Sequence, residues 1–333
     1  MTGTFDRFAV LGAGAWGTAL AMLLAGKGRD VTLWTHSQES AETIARAGEN
    51  RRLPGVRLAP RVGITADIAR AAEADAILIV VPAQAVRTLA RGLKPHVKAG
   101  TPLVICSKGI ERGSLSLLSD VVAAEVPQAR VAVLSGPSFA ADVVRGLPTA
   151  VTLAATDMAL AESLTAAIGE THFRPYASDD IAGAETGGAV KNVLAIACGI
   201  VSGRALGASA GAALIARGFA EMTRLGTALG GRAETLAGLS GLGDLVLTCT
   251  SPQSRNFALG ADLGAGRGID AALAARGAIS EGAFTAEAVA GLAARHGIEM
   301  PICRAVHDIV SGARDVEAAI RQLLARPFRS EGL

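Results

Sequence analysis

The feature that most narrows the fold is a set of short apolar runs that do not alternate with charged residues. Phe8–Leu11, Val31–Trp34, Ala76–Val81, Leu103–Cys106 and Val131–Leu134 are dominated by Val, Ile, Leu and Ala. A strand with one wet face alternates; a run that stays apolar is covered on both faces, as in a parallel sheet between helices. Helical patterns lie between the runs, at Thr18–Gly28, Ala83–Gly92 and Ser114–Val126. Such alternation predicts an α/β unit with a doubly wound parallel sheet, extended by short strands near Val151–Leu153 and His172–Arg174. From Ile181 onward the strand-like runs fade. Arg304–Leu324 sets Val306, Ile309, Val310, Ala313, Val316, Ile320, Leu323 and Leu324 on one helical stripe. The expected organisation is an α/β unit over residues 1–180 followed by an all-helical unit over 181–333.

The chain has 32 Lys+Arg against 30 Asp+Glu among 333 residues, and its like charges are scattered. That argues against a dedicated nucleic-acid or membrane-surface binder. Aromatics at 3% argue against base-stacking platforms. Cys106, Cys198, Cys249 and Cys303 lie far apart without metal-ligand spacing, so they read as buried free thiols of a reducing compartment, and no metal is expected. Met1–Arg7 lacks a signal-peptide profile, and no run reaches the roughly 18 consecutive apolar residues of a membrane span. A cytoplasmic protein with no membrane span is expected.

Gly12-Ala13-Gly14-Ala15-Trp16-Gly17 follows the first run directly. Its GxGxxG spacing is weak in a chain of 40 glycines, but a strand precedes it, a helix follows, and a second strand comes next. In that setting Gly12 permits the turn, Gly14 the approach of a pyrophosphate, and Gly17 a close helix–strand contact. The helix N-terminus then adds N–H donors. A glycine-rich turn of another α/β fold shares the spacing alone. After the second run the chain reads Thr35-His36-Ser37, with Glu39 the first acid and Arg46, Arg51 and Arg52 nearby. No carboxylate stands where one would repel a ribose 2′-phosphate, so NADPH is admitted as well as NADH. His36 is equally readable as an ordinary exposed residue.

Two further segments carry chemistry. Lys191 is the sole charge between Thr186 and Gly203, on a helix apolar nearly all round. Burial disfavours the ammonium form, which is how a lysine comes to donate a proton near neutrality; the alternative is a stem that packs while its head reaches water. Ser240-Gly241-Leu242-Gly243-Asp244 places Asp244 in a glycine-flanked loop, where it could orient Lys191 or form a turn. Thr248 and Ser251-Pro252-Gln253-Ser254-Arg255-Asn256 follow. Ser251 and Pro252 read as an N-cap and first helical position, with Ser254, Arg255 and Asn256 in the first turn, where an anion is favoured; a capped surface helix would look alike. Ser107-Lys108-Gly109 and Gly136-Pro137-Ser138-Phe139-Ala140 follow strands, where ligands bind in such folds.

Together Gly12–Gly17, Leu33-Trp34, Ser107–Ile110, Gly136–Ala140, Gly187–Val193, Gly238–Leu245, Ser251–Asn256 and Glu281-Gly282 resemble, in order and spacing, the bacterial-type NAD(P)-dependent glycerol-3-phosphate dehydrogenases. The resemblance implies a Rossmann-type domain plus a helical domain, commonly dimeric, reducing dihydroxyacetone phosphate to sn-glycerol 3-phosphate for phospholipid synthesis. It implies Lys191 as the catalytic lysine with Asp244. Lys108, Gly136, Ser138, Asn192, Thr248, Ser254, Arg255 and Asn256 are implied as substrate contacts, together with Lys191 and Asp244 themselves. Ala15, Trp16, His36, Arg52, Lys108, Ala140, Arg255, Ile279 and Glu281 join the glycine loop as cofactor contacts. The chain departs from the family at His36, where arginine is common, at Arg52-Leu53-Pro54 in place of Tyr-Leu-Pro, and at Ser209 and Gly211 in place of Asn and Lys. A hydroxy-acid dehydrogenase with a catalytic lysine and a dinucleotide sensor without turnover are the competing readings.

Overall fold

The computed structural model describes residues 5–274 and 281–327. The chain divides into two compact units. One runs through Lys108 and resumes from Leu118 to Ile181; the other takes Gly109–Leu117 and everything from Ala182. A single cut near residue 180 therefore misses the short segment 109–117, which belongs with the helical unit.

The first unit holds β1 (Arg7–Leu11), β2 (Asp30–Trp34), β3 (Val62–Thr65), β4 (Ala76–Ile79), β5 (Pro102–Ile105), β6 (Arg130–Ser135), β7 (Thr149–Ala155) and β8 (Phe173–Ser178). They form one sheet in the order β3-β2-β1-β4-β5-β6-β7-β8. Neighbours are parallel except β6 and β7, which run antiparallel, so the sheet is mixed rather than wholly parallel. The order reverses direction between β1 and β4, the switch point at which such folds take their ligands. Helices α1 (Ala15–Gly26), α2 (Gln38–Ala47), α3 (Ile68–Ala71), α4 (Val86–Leu93), α5 (Leu118–Glu125), α6 (Ala140–Val144) and α7 (Met158–Ile168) connect the strands. Phe8, Leu11, Ile77, Ile79, Leu103 and Ile105 are sealed from water, as their unbroken apolar runs require.

Several local expectations are corrected. Strand β3 escaped notice because an edge strand buries one side only, and Gly63 interrupts its short apolar pattern. Strand β8 is longer than residues 172–174; it alternates buried Phe173 and Pro175 with exposed Arg174 and Tyr176, and its proline is tolerated at the edge. The helix read over Ser114–Val126 is only α5, because Leu115 sits at φ 59°, which no right-handed helix accommodates.

The second unit contains α8 (Ile181–Gly203), α9 (Ala208–Ala228), α10 (Ala233–Ala237), a π-helical turn at Leu239–Gly243, α11 (Asp244–Thr250), α12 (Arg255–Gly264), α13 (Ile269–Ala274), α14 (Glu281–Arg295), α15 (Pro301–Val310) and α16 (Val316–Leu324). Helix α8 is long and apolar enough to cross a membrane by length and composition, but it is the buried centre of this unit. Val193, Leu194 and Ile196 share a core with Leu225, Leu245, Leu259, Val289 and Val306. The stripe read over Arg304–Leu324 is broken: Gly312 at φ 74° separates α15 from α16, and Ala313 and Leu324 are exposed.

Helix α12 lies against α8 backbone to backbone. A Cβ on Gly199 would stand 2.0 Å from the Phe257 carbonyl oxygen, and one on Gly260 2.0 Å from that of Ile196. One turn on, Gly203 meets the Ala261 carbonyl oxygen at 2.2 Å and Gly264 that of Ile200 at 2.5 Å. Four glycines, two per helix, thus leave no room for a side chain between the axes.

A buried carboxylate ties α9 to α15. Glu221 Oε1 accepts from the Ile302 N–H at 2.7 Å and Oε2 from the Cys303 N–H at 3.1 Å. These N–H groups open α15, whose own N-cap, Met300, offers no side-chain bond. Burial nevertheless pushes the Glu221 carboxyl up from its ordinary value, so the folded state holds that proton more tightly than the unfolded chain does. Its contribution is therefore greatest below the ordinary glutamate range and falls as pH rises through the folded value. Glu221→Ala, which orphans both N–H groups, should cost about 2–5 kcal/mol in denaturant unfolding. The wild-type advantage should narrow as pH rises from about 4 to 7; a gap that widens over that range would contradict the assignment.

Candidate active site

In the helical unit Lys191 is buried on α8 and meets the start of α11. Its Nζ donates to Asp244 Oδ1 at 2.6 Å and to Thr248 Oγ1 at 2.9 Å, and the Thr248 hydroxyl lies 3.3 Å from the same carboxylate oxygen. Lys191 is 7% exposed and Asp244 1%. Leaving either charge alone at that depth would cost several kcal/mol (about 3–5), so the pair neutralises itself in place. Asp244 is the first residue of α11, not a loop residue, because the π-helical turn carries the chain directly into the helix. That turn fits under α8 at Gly187, where a Cβ would come 2.5 Å from the Ser240 carbonyl oxygen.

One residue along α8, Asn192 begins a second polar array. The Gly282 N–H donates to Asn256 Oδ1 at 3.1 Å, and Asn256 Nδ2 donates to Asn192 Oδ1 at 3.0 Å. A backbone N–H can only donate, so the order of donors orients both amides. Asn192 Nδ2 makes no hydrogen bond among the described residues and is left to donate elsewhere. Beside this array α12 starts at Ser254, whose Oγ accepts from the Phe257 N–H at 3.2 Å. The expected cap at Ser251-Pro252 is therefore three residues too early. Ser251 instead closes a turn by accepting from the Gln253 N–H, and Arg255 and Asn256 remain in the first helical turn. Arg255 is exposed and makes no ion pair or hydrogen bond among the described residues. Glu281 opens α14, next to Gly282; Ile279 lies outside the described residues.

In the sheet unit Gly12 turns the chain at φ 127° out of β1. A Cβ on Gly17 would reach the Gly12 carbonyl oxygen at 1.9 Å, whereas a Cβ on Gly14 would meet nothing within 4 Å. Gly14 is also the N-cap of α1 and offers no side-chain bond to its first N–H groups. Space outside Gly14 and N–H groups that no side chain claims are what a dinucleotide pyrophosphate requires, so these residues fit that cofactor. Ala15 and Trp16 form the first turn of α1, and Ala140 begins α6. His36 is exposed between β2 and the Ser37 cap of α2, and Arg51 and Arg52 are exposed further on. At the ends of β5 and β6, Lys108 Nζ and Ser138 Oγ each donate to the Gly136 carbonyl oxygen at 3.0 Å.

The structure thus gathers Lys191 with Asp244 and Thr248, Asn192 with Asn256, and Lys108 with Gly136 and Ser138. Sequence reasoning missed two contributors to this framework. The Gly282 N–H has no side-chain signature to read. Asn50, buried beside the glycine loop, looked like any polar loop residue. All four cysteines are free and buried; burial pushes Cys106 and Cys303 up, and a hydrogen bond with the Cys198 thiol together with burial does the same to Cys249, which makes those thiols poor nucleophiles. Among the described residues no cluster could hold a metal ion.

Two family models match. The one described as NAD-dependent glycerol-3-phosphate dehydrogenase N-terminus covers residues 7–161, and its C-terminal counterpart residues 180–321. The chain is 57% identical to a glycerol-3-phosphate dehydrogenase (NAD(P)+) of Parvibaculum lavamentivorans, over 99% of this chain and all of that one. It is 57% identical to one of Bradyrhizobium sp. BTAi1, over 98% and 99%. A crystal structure of glycerol-3-phosphate dehydrogenase from Coxiella burnetii is similar with a TM-score of 0.93 at 42% identity, covering 97% of this chain and 99% of that one. With both halves matched and relatives of this closeness along its whole length, the chain belongs to the NAD-dependent glycerol-3-phosphate dehydrogenase family.

Proposed function

We propose that this chain catalyses the reversible NAD(P)H-dependent reduction of dihydroxyacetone phosphate to sn-glycerol 3-phosphate, supplying the latter for phospholipid synthesis. The observation that carries the reading is the buried Lys191–Asp244–Thr248 cluster beside the Asn192–Asn256 array, in a chain of this family. The bound nicotinamide supplies the hydride to the ketone carbon. Lys191 Nζ donates a proton to the carbonyl oxygen as it gains negative charge, and the ammonium charge stabilises that oxygen on the way. Asp244 and Thr248 hold Nζ in one place, which removes the cost of orienting a flexible four-carbon stem during the reaction. Asn192, with its Nδ2 unspent, donates to a substrate oxygen.

The phosphate is held by Arg255, Ser254 and Asn256 at the start of α12, where the guanidinium fork and first-turn N–H groups suit an anion. Lys108, Gly136 and Ser138 are assigned to the same substrate. Binding energy gathered on a phosphate remote from the carbonyl serves to position it. The cofactor falls to Gly12, Gly14, Ala15, Trp16, Gly17, His36, Arg52, Lys108, Ala140, Arg255, Ile279 and Glu281. Family resemblance extends the proposal to a cytoplasmic homodimer.

The first test is loss of reduced-nicotinamide absorbance on adding dihydroxyacetone phosphate, with NADPH and NADH in parallel. Oxidation that depends on that substrate is expected; cofactor binding without oxidation would leave the sensor reading in its place. Lys191→Ala should lower kcat by about 10²–10⁴-fold, with NADPH affinity nearly retained. Turnover at the wild-type rate would remove Lys191 from the chemistry. Arg255→Ala should raise the KM for dihydroxyacetone phosphate by about 10–100-fold, the loss of a charge-assisted bond. Cofactor affinity should change far less, and an equal change in both would move Arg255 from phosphate to cofactor.

A further inference from the structure

The loop that carries Arg51 and Arg52 is a built structure rather than a loose connection, and one buried side chain ties it to the glycine loop. Asn50 is 2% exposed. Its Nδ2 donates to the Ala13 carbonyl oxygen at 3.0 Å, inside Gly12–Gly17, and to Thr18 Oγ1 at 2.7 Å on α1. Its Oδ1 accepts from the Arg52 N–H at 3.0 Å. The Ala13 carbonyl can only accept and the Arg52 N–H can only donate, so the amide has one possible orientation, with both its N–H donors used and its oxygen engaged.

The rest of the loop supports the same presentation. Glu49 Oε1 accepts from the Gly55 N–H at 2.8 Å, Glu49 and Arg57 form an isolated bridge, and Leu53 is buried. Arg51 and Arg52 project from this frame, exposed and without an ion pair or hydrogen bond from their guanidinium groups among the described residues. A loop braced on both sides that leaves two guanidinium groups unengaged is arranged for an anion from outside the protein. The anion that distinguishes the two nicotinamide cofactors is the ribose 2′-phosphate.

We propose that Asn50 is a specificity-determining positioning residue, setting the Arg51–Arg52 arm in register with the glycine loop so that the arm meets a 2′-phosphate while the loop meets the pyrophosphate. The proposal rests on the cofactor reading above. Both cofactors use the glycine loop, and only NADPH uses the arm. Loosening the tie therefore weakens both, NADPH more.

The test is the dissociation constant of each reduced cofactor, read by nicotinamide fluorescence, for the full-length wild type, Asn50→Ala and Thr18→Val. If the wild type binds neither cofactor, the cofactor reading itself fails. If it binds, Asn50→Ala should weaken NADPH by about tenfold, the equivalent of one good hydrogen bond, and NADH by less than about threefold. Thr18→Val keeps the shape of the side chain and the Ala13 bond but removes one of the two amide anchors. It should move the NADPH/NADH ratio the same way by a smaller factor, and it tests the idea even if Asn50→Ala does not fold. A purely structural Asn50 would lower the melting temperature and leave the ratio where it was; an unchanged ratio in the folded variants overturns the proposal.

Discussion

The helical unit depends on one steric condition: α8 and α12 touch through their backbones. Gly199 and Gly203 on one helix and Gly260 and Gly264 on the other leave carbonyl oxygens where Cβ atoms would otherwise stand. Dispersion over such a contact is large because no void separates the helices. The geometric result matters more than the energy. Asn192 on α8 and Asn256 on α12 have short side chains, and an amide-to-amide bond of 3.0 Å forms only when the axes are this close. An alanine-lined contact would push α12 outward and break that bond without altering any residue of the candidate site itself.

Electrostatics then acts on a frame that packing has already set. A lysine with 7% exposure on an apolar helix would be a liability without a counter-charge, and Asp244 with 1% exposure would be a worse one. Each is tolerable because the other is fixed 2.6 Å away. The π-helical turn at Leu239–Gly243, tucked beneath Gly187, delivers Asp244 to that spot. The backbone irregularity and the buried ion pair are therefore two sides of one solution.

Much of this was legible in the chain itself. Unbroken apolar runs disclosed the central strands because a strand covered on both faces has no reason to alternate, and the sole charge between Thr186 and Gly203 disclosed Lys191. What stayed hidden depended on contacts between residues distant in sequence. Strand β3 has a single buried side and resembles a loop. Ser254 rather than Ser251 caps α12, a choice made by where α11 ends. The break at Gly312 is invisible to a periodicity that runs smoothly across it. Amide orientations in the Gly282–Asn256–Asn192 array could not be read, since a backbone N–H leaves no mark in a sequence.

Segment 109–117 has a consequence for how the protein can be divided. It lies between two stretches of the sheet unit, yet Ile110 and Leu117 are buried in the helical unit's core with Val190, Leu194 and Leu292. A fragment ending near residue 180 would contain the whole sheet and also a strip of apolar surface whose covering had been cut away. The sheet unit is thus continuous in space but not in the gene. Its natural boundary cannot be reproduced by a stop codon, and a fragment made that way would trade a missing domain for a sticky loop.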